Sequence, residues 1–380
     1  MSGRSGTSIP RGLEGTDMRA EKYALLTRAL EELRTGQSAA ARRSLGALTR
    51  RLDVDGVPED MQYFLFAAAL ARRVGVGEAQ QMNLYLRRFE LPQISLFNLV
   101  AELLPMVGMA GRIANDLLCG LLEGHEDATL IDVGLGTGRQ EAALLRRLAE
   151  TGTPLRRLTV VGVEPDPRSL RQAETSLTTL AGEMGIALRF LGIPKVIEAL
   201  DEEDWALLRD MPGPRLVHSA FALHHMAAGV DRQEIFHRLR TVEPAAVVLV
   251  EPNSDHATDS LSERFHNAWH HFSHNFELVD ALGLPERERN GIKLFFGREF
   301  EDILGAVDDS QRYERHERVE TWSHRLRTAG FRPAPASRLE GGWSFPHPAV
   351  HIRPGPGYVG VGYKEETLVT VLCATPEASC

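Results

Sequence analysis

Three shortages bound this chain before any motif is read. Of 380 residues only three are cysteines, Cys119, Cys373 and Cys380. Their spacing is neither a disulfide framework nor a zinc pattern. A reducing, cytoplasmic setting is therefore expected, with no metal centre. No apolar run approaches the roughly 20 residues that a spanning helix needs, so no membrane partner is expected. Positive charge is also short. The formal net charge is −9, and phosphate backbones are bound by local positive excess, so nucleic acid is not an expected partner. Met1 to Asp17 lacks the apolar stretch of a signal peptide, and its Gly/Ser/Arg-rich composition reads as a disordered tail, 1–17.

What remains is ordinary globular material, 43% apolar and 25% charged, enough for one large domain or two ordinary ones. Residues 18–124 carry helical apolar spacing. Residues 129–250 alternate short apolar runs with helical patterns: Thr129–Val133, Leu158–Val163, Ala187–Leu191, Leu216–Ser219 and Ala246–Val250. Continuous apolar strands with helices between them predict a parallel sheet covered on both faces. Residues 257–328 are helical again. Two β-like stretches, Phe331–Arg338 and Leu368–Ala374, close the chain around a Gly/Pro-rich segment, 341–362. That segment reads as a long structureless loop with a functional role.

Chemistry concentrates at the ends of the predicted strands. Thr129 to Gln140 reads as strand, turn and helix start, with Gly134, Gly136 and Gly138 at alternate positions. A dinucleotide fingerprint wants its third glycine where Arg139 stands. Asp132 before three alternate glycines instead has the form of the first motif of S-adenosylmethionine (SAM)-dependent methyltransferases. Glycines permit close approach of a ligand to the backbone, and a carboxylate suits the ligand's amino group. Glu164 ends the second strand, where a carboxylate accepts hydrogen bonds from ribose hydroxyls. Ser219 ends the fourth strand and joins Asp132, Gly134, Gly136, Gly138 and Glu164 as expected cofactor residues. His224 and His225 follow that strand, and Glu251 follows the fifth. These are the expected catalytic residues, histidine being suited to proton transfer near neutral pH.

Eleven of the fourteen histidines lie between 218 and 324. His266, His270 and His274 recur every fourth residue and share one helical stripe. A lone stripe is poor metal geometry, so it reads as the lining of a pocket or packing on the sheet.

Several segments in register then carry a family resemblance. Val248-Leu-Val-Glu-Pro-Asn-Ser-Asp-His, Arg264-Phe-His-Asn-Ala-Trp-His-His-Phe-Ser, Phe296-Gly-Arg-Glu-Phe, Glu314-Arg-His-Glu and Trp322-Ser-His-Arg-Leu-Arg-Thr-Ala-Gly-Phe resemble motifs of the GRAS family over about residues 60–335. Leu223-His-His-Met resembles its "LH" motif. GRAS proteins are best known as plant transcriptional regulators, and bacterial members exist. The resemblance implies an α/β fold: a Rossmann-like class I methyltransferase core, with a mostly parallel seven-stranded sheet, over 125–380. It also implies an α-helical cap from 18–124, with 257–300 contributing. It places Arg298, Glu299, Arg315, His316 and Glu317 near the pocket. His256, His270, Arg298 and Glu299 are the expected substrate residues.

The intact glycine turn, which plant members often lose, points to the bacterial branch and an enzyme. The expectation is a SAM-dependent methyltransferase acting on a small molecule with apolar surface, with a homodimer admitted. The alternative is a non-catalytic GRAS-type regulator or ligand sensor acting through protein–protein contacts.

Overall fold

A computed structural model describes residues 11–75, 100 and 103–377, and the chain divides into two compact units. One comprises residues 1–99 with 258–309, the other 100–257 with 310–380. Residues 1–10 of the expected tail and 76–99 of the expected helical stretch, with its expected break at Pro92, lie outside the described residues, and the rest of the tail, from Arg11, opens a helix instead.

The first unit is helical among its described residues. Helices Arg11–Arg34, Ser38–Thr49 and Asp60–Arg72 join Leu261–Ala281 and Glu286–Ile303. Ser260 caps Leu261–Ala281 by accepting from the Glu263 N–H, the arrangement that Ser-x-x-Glu foretells. Phe265, Phe272 and Phe276 on that helix are buried. Phe66 meets Phe265 edge-on with centroids 5.5 Å apart, and Phe272 meets Phe300 likewise at 4.4 Å. These are the offset geometries that ring quadrupoles favour. Two buried lysines are neutralised by partners: Lys22 by Asp60 at 2.6 Å and Lys293 by Asp280 at 2.7 Å.

Among the described residues the second unit is built on one nine-stranded sheet. Strands β1 (Asp127–Val133), β2 (Arg157–Val163), β3 (Ala187–Ile193), β4 (Arg215–Ala220) and β5 (Ala246–Pro252) stand in the order β3-β2-β1-β4-β5 and are parallel. The order reverses at β1, and the crevice beside such a reversal is where open α/β sheets bind ligands.

The helices between the strands are delimited by local chemistry. Asp166 accepts from the Arg168 and Ser169 N–H groups and Pro167 opens helix Pro167–Glu183. Asp201 and Asp204 form a capping box on Glu202–Arg209. Trp205, Phe236 and Trp322 from Glu202–Arg209, Arg232–Thr241 and Val319–Thr328 bury themselves with Ile131, Val217 and Val247 of the sheet. Helix Pro105–Leu122 also packs on strands of the sheet, and it groups with this unit rather than with the N-terminal helices.

The expected seven mostly parallel strands are corrected to nine in a mixed sheet. β9 (Glu366–Pro376) runs antiparallel to β5, and β6 (Phe331–Pro333), β7 (Val350–Gly355) and β8 (Tyr358–Tyr363) extend it antiparallel. The expected loop 341–362 is thus largely the β7–β8 hairpin. Glycines hid it from the pattern, yet Val359 and Val361 alternate inward. Gly362 is required there: a Cβ would stand 2.2 Å from the Glu366 carbonyl oxygen and from the His351 ring.

Candidate functional site

The loops after β1, β2, β4 and β5 bring two polar clusters to the carboxyl ends of the parallel strands. The first lies under the glycine turn. Gly134, Gly136 and Gly138 all have positive φ, at 82°, 57° and 77°, a region side chains rarely occupy. Their surroundings differ. A Cβ on Gly134 would meet the Ala222 Cβ at 2.3 Å, one on Gly138 would meet the Ala173 Cβ at 3.0 Å, and one on Gly136 would meet nothing within 4 Å. Gly136 alone faces open space. Glu164 braces it, accepting from the Gly136 N–H at 3.0 Å and from the Asp166 N–H at 3.0 Å.

Asp132 and Ser219 face away from that space. Asp132 is 2% exposed and accepts from His218 Nδ1 at 2.6 Å. It is also hydrogen-bonded to Glu141 on the first turn of helix Arg139–Thr151. Two carboxyls can share such a bond only if one is protonated. Burial pushes Asp132 up to about 7 and drives Glu141 well above the usual carboxylate range, while burial pulls His218 down. Ser219 is buried and donates to the Val133 carbonyl at 2.9 Å. These groups shape the turn from behind.

The second cluster follows β4 and β5. His224 and His225 sit on the short 3-10 turn Leu223–His225. Glu251, at the end of β5, is 0% exposed. One of its oxygens accepts from the Leu223 N–H at 2.9 Å and the other pairs with His224 Nδ1 at 2.6 Å. Glu314 then receives three imidazoles. His225 Nε2 lies 3.1 Å away, His316 Nε2 3.3 Å and His224 Nε2 3.4 Å. His316 Nδ1 stands 2.9 Å from His256 Nδ1, and His256 Nε2 stands 2.9 Å from the Ser254 hydroxyl.

Burial opposes charge on His224, but Glu251 and Glu314 overcome it and hold the imidazole up at about 10. Burial also opposes charge on Glu314, yet the three histidines hold it far below the usual range. His316 is pulled down to about 4 by burial and by its charged neighbour His224. Arg232 locks the arrangement by donating to the His224 and Arg315 carbonyls at 3.0 and 2.8 Å. Glu317 holds Arg232 at 3.2 Å and is gripped by both arms of Arg325 at 2.7 Å.

The expected substrate residues divide between the units. His256 is buried in the second cluster, whereas His270, Arg298 and Glu299 belong to the helical unit. The His266/His270/His274 stripe is recorded on helix Leu261–Ala281, where His266 and His274 bond the carbonyls of Ser262 and His270 at 2.7 and 2.8 Å. Glu141 and Glu314 were not among the expected site residues. Glu314 had a readable signal. Glu314-x-His316 in an irregular, extended segment puts alternate side chains on one side.

A model of the GRAS domain family matches residues 23–340. The chain belongs to the GRAS family. DELLA protein RGL3 of Arabidopsis thaliana is 28% identical over 272 residues, 70% of this chain and 51% of that protein. Scarecrow-like protein 1 of the same plant is 28% identical over 260 residues, 64% of this chain and 43% of that protein. The chain thus spans about half the length of these GRAS relatives. The solved structure of SCL7 from Oryza sativa shares the fold, with a TM-score of 0.73 and 21% identity, covering 93% of this chain and 99% of that one.

These comparisons correct the functional expectation. The GRAS relatives are DELLA and Scarecrow-like proteins, the plant regulators for which the family is known, and not methyltransferases. The methyltransferase, its small-molecule substrate and the bacterial branch are therefore set aside. Among the described residues no helix is long and apolar enough to cross a membrane.

Proposed function

We propose that this chain is a non-catalytic GRAS-type regulator that acts through protein–protein contacts and senses a ligand at its glycine turn. The observation that carries the non-catalytic reading is the state of Glu251 and His224. Both oxygens of Glu251 are taken by Leu223 and His224, and the carboxylate is fully buried. A general base must reach the proton that it removes. Here the candidate acid and base groups satisfy each other and pin the β4 and β5 loops.

The ligand reading rests on the turn. Gly136 faces open space, and Glu164 braces the turn beside it at the end of β2. SAM is the ligand whose chemistry this turn suits: Gly134, Gly136, Gly138 and Glu164 would hold it, with Asp132 and Ser219 supporting from behind. Calorimetry with SAM and S-adenosylhomocysteine tests it. Both are expected to bind with similar affinity, since a sensor has no use for the methyl group's reactivity. Gly136→Val is expected to abolish binding in folded protein. Folded wild-type protein that binds neither overturns the sensor reading. Methyl transfer to any acceptor, lost in His225→Ala, overturns the non-catalytic one.

A further inference from the structure

We propose that His224, His225 and Glu314 form a binding site for a divalent transition-metal ion, with Zn²⁺ as its fitting occupant. The three residues offer His224 Nε2, His225 Nε2 and a Glu314 carboxylate oxygen, all within 4.8 Å of one another. The argument turns on the two sides of His224. Its Nδ1 meets Glu251 at 2.6 Å, a tight charge-assisted hydrogen bond. Its Nε2 meets Glu314 at 3.4 Å, and His225 Nε2 meets Glu314 at 3.1 Å. Charge-assisted N–H···O bonds are about 2.7–2.9 Å long, so the contacts on this side are longer and looser than the one to Glu251. Ligand atoms about 2.0–2.1 Å from a tetrahedral Zn²⁺ stand about 3.3 Å from each other. His225 faces one Glu314 oxygen and His224 the other, at separations near that figure, and a ligand atom from each of the three residues lies within 4.8 Å of the rest.

The surroundings are those that a metal site requires. A ligating imidazole donates its other N–H to a carboxylate, which fixes the tautomer and raises its basicity. Glu251 does this for His224 through one oxygen, while its other oxygen accepts from the Leu223 N–H. His316 Nε2 stands 3.3 Å from Glu314 and is itself backed by His256, so it positions the carboxylate. Three protein ligands leave a coordination place open, and His225, 48% exposed, sits on the solvent side. Two imidazoles and a carboxylate select a borderline ion over Mg²⁺ or Ca²⁺, which take oxygen shells. The proposal is independent of the glycine turn, because Zn²⁺ and SAM are titrated separately.

The test is calorimetry of the full chain, stripped with EDTA and dialysed, against Zn²⁺, with Mg²⁺ as the control. One Zn²⁺ per chain is expected and no Mg²⁺ binding. His225→Ala and Glu314→Gln are each expected to weaken Zn²⁺ at least 10-fold. Co²⁺ loading is expected to give a visible ligand-field band that His225→Ala removes. His225 is exposed, so that variant keeps its fold, checked by circular dichroism. No Zn²⁺ binding by folded wild-type protein overturns the proposal. So does Zn²⁺ binding that neither variant weakens, which would place the ion at another histidine group.

Discussion

Two buried polar clusters stand on neighbouring strands of one sheet, and they solve the same problem in opposite ways. Behind the glycine turn, Asp132, Glu141 and His218 avoid charge: burial pushes both carboxyls toward their protonated forms and the imidazole toward its neutral one. After β4 and β5, charge is kept instead: the His224 imidazole, held up at about 10, lies between the carboxyl groups of Glu251 and Glu314. The difference follows from partner count. A buried charge survives only where opposite charge and hydrogen bonds surround it, and otherwise the group neutralises. The first cluster has two acids and a single base, so proton retention is the stable answer. The second has a histidine between every pair of carboxylates.

The largest test of this contrast removes Glu251. Glu251→Ala leaves the His224 imidazolium buried beside one long contact, and breaking a buried pair in this way costs about 3–5 kcal/mol. Urea denaturation reads the loss, and a cost below about 1 kcal/mol would falsify the charged reading of the second cluster. Next come the glycines that roof the first cluster. Gly134→Ala drives a Cβ into Ala222 and imposes left-handed strain, together about 2–4 kcal/mol. Gly136→Ala meets open space and pays only the backbone strain, about 1–2 kcal/mol. Equal melting temperatures for the two would show that the open space at Gly136 is filled.

A third test uses pH. The Asp132 carboxyl is raised from 3.8 to about 7. Between those values the unfolded chain has released this proton and the folded chain still holds it. The unfolded state therefore binds fewer protons, and stability falls as pH rises through that window, then levels above about pH 7. Asp132→Asn abolishes this term while keeping an acceptor for His218. Its melting temperature relative to wild type is expected to climb by a few degrees from pH 4 to pH 7, read by scanning calorimetry. A flat difference across that range means that Asp132 is ionised in the fold. The smallest effect belongs to His225→Ala, whose exposed ring leaves stability within about 0.5 kcal/mol of wild type.

Much of the sheet unit was legible in the sequence, because β1, β2, β4 and β5 are buried along most of their length, whereas β3 at the sheet edge is largely half-exposed. β1 to β5 are short apolar runs, each bounded by turn residues, and the expected boundaries differ from the observed ones by at most two residues. The β7–β8 hairpin was not legible because glycine carries no side chain by which alternation shows. In the site, residue identity was easier to read than partnership. His224, Glu251 and the glycines were picked out by their place after strands. Nothing local could reveal that Glu251 spends both oxygens on neighbours, or that Asp132 and Ser219 point behind the turn. Glu314 lies 63 positions after Glu251 in a segment without regular structure, and its role is set by the fold that returns it to the β4 loop.

The place of β9 has a consequence for how the chain comes into being. It follows β8 in sequence, yet it lies between β5 and β8 in the sheet. Until it has been synthesised, β5 presents an unpaired apolar edge, ready to template pairing with another chain. The parallel half therefore leaves the ribosome as an unfinished surface, sealed only when β9 threads in beside it. Deleting Glu366–Pro376 exposes an edge of β5, a strand buried along nearly its whole length, and aggregation rather than a smaller stable domain is the natural fate of such a chain.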